Sequence, residues 1–123
     1  MHSEDMFTEY NNDTPRRRAD LPACPVETCV QLIGSKWRLL IMRDLLLNGT
    51  MRFSALQRSV GKVSQKVLTT NLRAMEDAGL VVRRVYPEVP PRVEYSLTET
   101  GRSLKPIIDA MWTWGESYQA KAK

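Results

Sequence analysis

A chain of 123 residues and 14.1 kDa, 42% hydrophobic, holds enough apolar material for one ordinary domain. Two cysteines and the single histidine, His2, make neither a disulfide framework nor a metal-ligand spacing, so no metal or cofactor is expected. No apolar run after Met1 resembles a signal peptide and none approaches the ~20 residues of a membrane span, which leads us to expect a cytoplasmic protein with no membrane partner.

The formal charge of +4 is unevenly spread. Residues 1–23 carry three arginines against five acids, while the stretch from Arg52 to Arg92 carries eight basic side chains against three acidic ones. A local surplus of that kind favours a polyanionic partner. Residues 1–23 are polar, with Asn11, Asn12, Asp13 and Pro15 breaking any periodicity, and are expected to form a flexible tail preceding a domain over 24–123. Arg16, Arg17 and Arg18 in that tail fit either plain solubility or nonspecific affinity for phosphate.

Order is expected to begin at Cys24-Pro25, with proline at the first helical position and Cys24 as N-cap. Val26, Cys29, Val30 and Ile33 then form an apolar stripe at helical spacing, ended by Gly34. Ser35 can cap a second helix from Lys36 to about Leu47, whose KWRLLIMRDLLL run is apolar around most of its circumference and needs cover on more than one side. After a short strand over Thr50-Met51-Arg52 comes a helix that turns Phe53, Leu56 and Val60 inward, then a tight turn at Gly61-Lys62-Val63.

The next helix runs from the N-cap Ser64 to a stop at Gly79. Leu68, Leu72 and Met75 share its buried face, which leaves Gln65, Lys66, Thr69, Thr70 and Arg73 on the other sides. Those five, with Ser64, have the donors and acceptors that meet base edges and phosphates, and they concentrate in the first turns, where a major-groove helix carries its reading residues. An exposed polar face is also what any solvated helix presents.

Leu80–Tyr86 and Val93–Leu97 are rich in β-branched and aromatic residues, and Val93, Tyr95 and Leu97 alternate with Glu94 and Ser96, which predicts a two-stranded hairpin leaning on the helices. Pro87, Pro90 and Pro91 stiffen its tip and are expected to hold Arg92 outward, where it suits a minor-groove or phosphate contact or stands as an ordinary surface arginine. Thr98 caps a last helix reaching about Lys121, with a kink or boundary at Pro106. Leu104, Ile108, Met111, Gly115 and Tyr118 repeat at four and three residues along it, flanked by Ile107 and Trp114, with Trp112 farther round. So wide an apolar stripe predicts a dimer seam, with packing inside the chain as the alternative.

The predicted order is therefore mainly α with a small β-hairpin: a winged helix-turn-helix with dimerisation helices at both ends. The blocks CPVETCVQLIGSKWRLLIM, RFSALQRSVGKVSQKVLTTNLRAMEDAGLV and PPRVEYSLTETGRSL resemble those of the HxlR-type bacterial regulators, relatives of the MarR group. The resemblance runs from about Cys24 to Tyr118. It implies a homodimeric transcription factor, a repressor by expectation, that binds double-stranded DNA at a near-palindromic operator through the helix from Ser64, with Arg92 on the flanking minor groove or backbone. Ser35 departs from the family's usual second glycine, and Cys29 stands where another small residue is more usual.

In some members of that family the cysteine matching Cys24 senses electrophiles, quinones or oxidants. A thiol facing the N–H groups of a helix N-terminus is favoured as thiolate, although Glu27 opposes this one turn on. Cys24 and Cys29 on one helix would stand about 7.5 Å apart, beyond the roughly 7 Å that a disulfide spans. Oxidation would instead link subunits, cap the thiol or unwind the turn. Cys29 reads as a buried small hydrophobe, and for Cys24 sensing and plain structural use both stay open, as does a regulator that answers a ligand or no signal. A winged helix used only for protein interaction would not need the basic surplus. An enzyme would need a convergent site, and the chain has no histidine after His2, no glycine-rich phosphate loop and no paired acids at a telling spacing.

Overall fold

The computed structural model describes residues 21–122, so the expected tail, with Arg16–Arg18, lies outside the described residues except for its last three positions. Pro25 opens α1 (Pro25–Ile33) behind the N-cap Cys24, and Ser35 caps α2 (Lys36–Asn48) by accepting from the Arg38 backbone N–H. β1 (Met51–Arg52) feeds directly into α3 (Phe53–Val60). Ser64 then caps α4 (Gln65–Asp77) by accepting from Val67 N–H at 3.1 Å. Gly79, at φ 78°, turns the chain out of α4 into β2 (Val81–Tyr86), which pairs with β3 (Arg92–Leu97).

The wing differs from the expected two-stranded hairpin, because β1 pairs with the free edge of β3 through Met51↔Tyr95 and Arg52↔Glu94. The sheet has three strands in the order β1-β3-β2. That third strand supplies the support a lone hairpin lacks and fixes the sheet to the start of α3.

The core gathers Ile41, Met42 and Leu45 of α2, Leu56 and Val60 of α3, Leu68, Leu72 and Met75 of α4, and Leu80, Val81, Tyr95 and Leu97 from the sheet side. Each large apolar side chain fully buried there contributes about 1.5–3 kcal/mol. α2 packs against α3, α4, β3 and the last helix, the many-sided cover its composition requires. Asp44, 3% exposed, places one carboxylate oxygen 2.6 Å from Arg43 Nε, and Arg43 also donates to the Ser59 carbonyl, so this pair ties α2 to α3.

The last helical region is broken in two: α5 (Glu99–Arg102), capped by Thr98, and α6 (Lys105–Ala122). The boundary falls at Ser103-Leu104, and Pro106 is the second residue of α6, where the missing N–H costs no hydrogen bond. None of the helices among the described residues is long and apolar enough to cross a membrane.

Candidate nucleic-acid interface

α3 and α4 form a helix-turn-helix whose turn is held by its own polar groups. Gly61 takes φ 117°, Val63 N–H donates to the Gly61 carbonyl at 2.9 Å, and Gln57 Nε2 reaches the Val63 carbonyl at 3.0 Å. Val63 itself is buried, so the turn is pinned from inside and α4 starts at a fixed angle.

With Leu68, Leu72 and Met75 anchored in the core, α4 exposes Ser64, Gln65, Lys66, Thr70 and Arg73, while Thr69 is half-buried. The hydrogen bonds divide these side chains by chemistry. Ser64 Oγ accepts from Val67 N–H, and Thr70 Oγ1 donates its proton to the Lys66 carbonyl at 2.9 Å, which leaves the Thr70 oxygen as an acceptor. Gln65, Lys66 and Arg73 are the exposed long donors of this face. No acid stands in the first turn of α4, so its positive dipole end faces outward unopposed by its own residues.

Arg92 is not held outward as the prolines of the tip predict. It is the first residue of β3, its guanidinium carbon lies 4.0 Å from the centroid of the Tyr86 ring, and it pairs with Glu88 at 3.2 Å and Glu94 at 3.5 Å. The Glu94 contact is an ion pair without hydrogen-bond alignment, since Nε is buried with no acceptor. Sequence reasoning followed the rigidity of the tip and missed the two carboxylates within reach. The β register also brings together residues not singled out before. Arg84 and Arg52 both stand opposite Glu94, from the two neighbouring strands, on the same sheet face as Tyr86 and Arg92. Arg52, Arg84 and Arg92 thus surround one acid, and strand alternation was the signal that could have found them. Arg83 faces the other way and pairs with Glu76 of α4 at 3.5 Å.

The expected dimer residues split. Leu104 and Ile108 pack against the core of their own chain, whereas Ile107, Met111, Trp114 and Tyr118 are 39% to 67% exposed, with the Trp114 and Tyr118 rings stacked at 5.1 Å. In α1, Ile33 is buried but Val26 and Val30 face outward at 70% and 57% exposure. Both end helices therefore carry large apolar side chains that the described chain does not cover.

Cys24 is exposed at the N-cap of α1 and its side chain makes no capping bond, while Cys29 is half-buried against the core; both are free thiols. Among the described residues no group of three His, Cys, Asp or Glu side chains could hold a metal ion.

Residues 32–123 match the model of the HxlR-like helix-turn-helix family. An uncharacterized HTH-type transcriptional regulator of Methanothermobacter thermautotrophicus is 50% identical over 95 residues, 77% of this chain and 72% of the relative. Among solved structures, the redox regulator HypR in its oxidized form aligns with TM-score 0.71 at 46% identity, covering 76% of this chain and 96% of that one. A MarR-family transcriptional regulator from Porphyromonas gingivalis W83 aligns with TM-score 0.74 at 38% identity, covering 81% and 97%.

Proposed function

Because the chain belongs to the HxlR-like helix-turn-helix family of transcriptional regulators, we propose that it is a homodimeric repressor that reads a near-palindromic operator with α4. The observation that carries this reading is the outward face of α4, where Gln65, Lys66, Thr70 and Arg73 are exposed on a helix clamped from behind by Leu68, Leu72 and Met75. Lys66 and Arg73 supply cations for phosphate or guanine, Gln65 suits adenine, and the Thr70 oxygen accepts from an exocyclic amine. Ser64 and Thr69 flank that set, one committed to the cap and the other half-buried.

Two-fold symmetry comes from Val26 and Val30 of α1 and Ile107, Met111, Trp114 and Tyr118 of α6, whose exposed apolar surface a second copy would bury. Two reading helices then enter successive major grooves roughly 34 Å apart. Arg92 together with Arg52 and Arg84 supplies the flanking backbone contact, and the site of action is the cytoplasm. The test is a shift of fragments from the protein's own promoter region: Lys66→Ala and Arg73→Ala should each weaken binding while leaving the dimer intact, and unchanged affinity in both would remove this face from the reading.

A second element of the proposal is thiol sensing through Cys24. It is favoured by the exposure of that thiol at a helix start and by the likeness to a redox regulator. A quinone or peroxide should release DNA from the wild type and not from Cys24→Ser. Equal release from both would leave a regulator that answers another ligand or none.

A further inference from the structure

Arg38 is the side chain that joins the three helices α1, α2 and α4. It sits in the first turn of α2, and its Nη1 donates to the Gln31 and Leu32 carbonyls of α1 at 3.1 and 3.3 Å. Those carbonyls belong to the last turn of α1, at its negative dipole end, and that turn has no basic residue of its own. From the same guanidinium, Nε donates to Asn71 Oδ1 of α4 at 3.3 Å. Asn71 in turn places its amide nitrogen 2.9 Å from the Val67 carbonyl. Both ends of the half-buried Asn71 amide are therefore engaged by groups of the protein itself. Burial pulls the Arg38 guanidinium below the usual arginine value, so the charge is partly desolvated between the helices.

We propose that Arg38 and Asn71 act as one positioning pair, which sets the orientation of α4 relative to α1 and so determines operator recognition without touching DNA. This rests on α4 being the reading helix. The planar guanidinium fork is what makes the pair directional: one edge meets α1 and the other meets α4, an arrangement that a lysine ammonium on a flexible stem does not reproduce. Since α1 carries exposed Val26 and Val30, on the proposed two-fold face, the angle held by Arg38 fixes how far apart the two reading helices of a dimer lie. A change of that angle weakens the correct operator and leaves loose electrostatic binding as it was.

The experiment is a double-mutant cycle on operator and nonspecific DNA with Arg38→Met, Asn71→Ala and the double variant, using full-length protein and a promoter fragment that the wild type shifts. Each single variant should lose about tenfold in operator affinity, with the double losing little more because the two side chains work as a unit. Nonspecific affinity and the dependence of log Kd on log salt should not change. Arg38→Lys, which keeps the charge by the α1 carbonyls, is expected to show the same loss and serves if Arg38→Met unfolds. Unchanged operator affinity in variants that only melt earlier overturns the proposal, as do losses that simply add. A salt slope lower by about one in Arg38→Met would mark a direct phosphate contact and would also overturn it. Those results leave the reading helix standing, whereas a wild type that shifts no promoter fragment removes both.

Discussion

Gly101→Ala should unfasten the C-terminal helices, and the cost can be worked from the contacts around it. A Cβ on Gly101 would fall well inside van der Waals contact of the Leu80 carbonyl oxygen and 3.1 Å from Leu97 Cδ2. That oxygen already accepts the Thr98 N–H at 3.0 Å, and Thr98 Oγ1 both donates to the Gly79 carbonyl and accepts the Gly101 N–H at 3.0 Å. Since C···O contacts normally stand at about 3.3 Å or more, α5 must retreat by roughly 1 Å, and the Thr98 bonds stretch with it. Overpacking costs about 1–3 kcal/mol and a weakened cap about 0.5–2 kcal/mol, while alanine returns about 1 kcal/mol of helix propensity. The net loss is about 2 kcal/mol, or roughly 8–16 °C in melting temperature for a domain of this size. Thermal and urea unfolding at one fixed protein concentration measures it, because a dimer's stability depends on concentration. Thr98→Ser keeps the hydroxyl and should stay close to the wild type. If Gly101→Ala is neutral or more stable than wild type, the close approach of α5 to Leu80 is not what holds these helices.

Glu88→Gln removes one of the two acids that hold Arg92; operator binding should tighten and its salt slope should steepen by about one, and an unchanged slope would mean that the wing stays away from phosphate. Trp114→Ala, together with Met111→Glu, should turn the proposed dimer into monomer in sedimentation velocity, since one aromatic anchor is worth about 2 kcal/mol or more of association, roughly 30-fold; a double variant that remains dimeric would put the seam elsewhere. Tyr95, 7% exposed, has its phenol raised chiefly by burial, with Arg83 opposing, Glu76 adding and Arg73 opposing. A raised folded value means that this stabilisation is full below the ordinary phenol value of about 10 and is lost as pH climbs through the raised one. Tyr95→Phe should therefore match wild type in urea midpoint near pH ~8 and lose less by pH ~11, and equal losses would clear Tyr95 of the alkaline sensitivity.

Local rules made the helix-turn-helix legible in the sequence. Ser64 and Thr98 are caps whose oxygens do accept the N–H groups that capping chemistry requires, and the spacing of Leu68, Leu72 and Met75 identified the buried face of α4 without any tertiary information. What escaped were features fixed by partners distant in sequence. The short strand at Met51-Arg52 is expected from the sequence, but its place as the third strand of the sheet follows only once Glu94 and Tyr95 are beside it. The α6 repeat fits a dimer seam and packing inside the chain alike, because periodicity does not reveal that Leu104 and Ile108 turn toward their own core while Met111 and Tyr118 turn away. Arg92 was misjudged for the same reason: proline fixes the backbone of a tip, but the direction of a long side chain follows the charges it meets. Nothing in the sequence singles out Asn71, since only the fold brings Arg38 to it.

The composition of α2 then has a mechanical explanation. Its KWRLLIMRDLLL run is apolar nearly all round because α3, α4, β3 and α6 each cover a side of it. Three of its four charged side chains are spent in the same way, Arg38 on α1 and α4, and Arg43 with Asp44 on α3, while Lys36 lies over the Trp37 ring of α2 itself. With α1 and α6 as the proposed dimer surface and α4 as the proposed reading head, α2 is the element through which a displacement at the dimer surface reaches the DNA side. Close packing makes such an element respond by shifting as a unit instead of deforming locally. A signal at Cys24, at the far end of α1 from the Arg38 contacts, would therefore need to move only the last turn of α1 to be felt at Asn71.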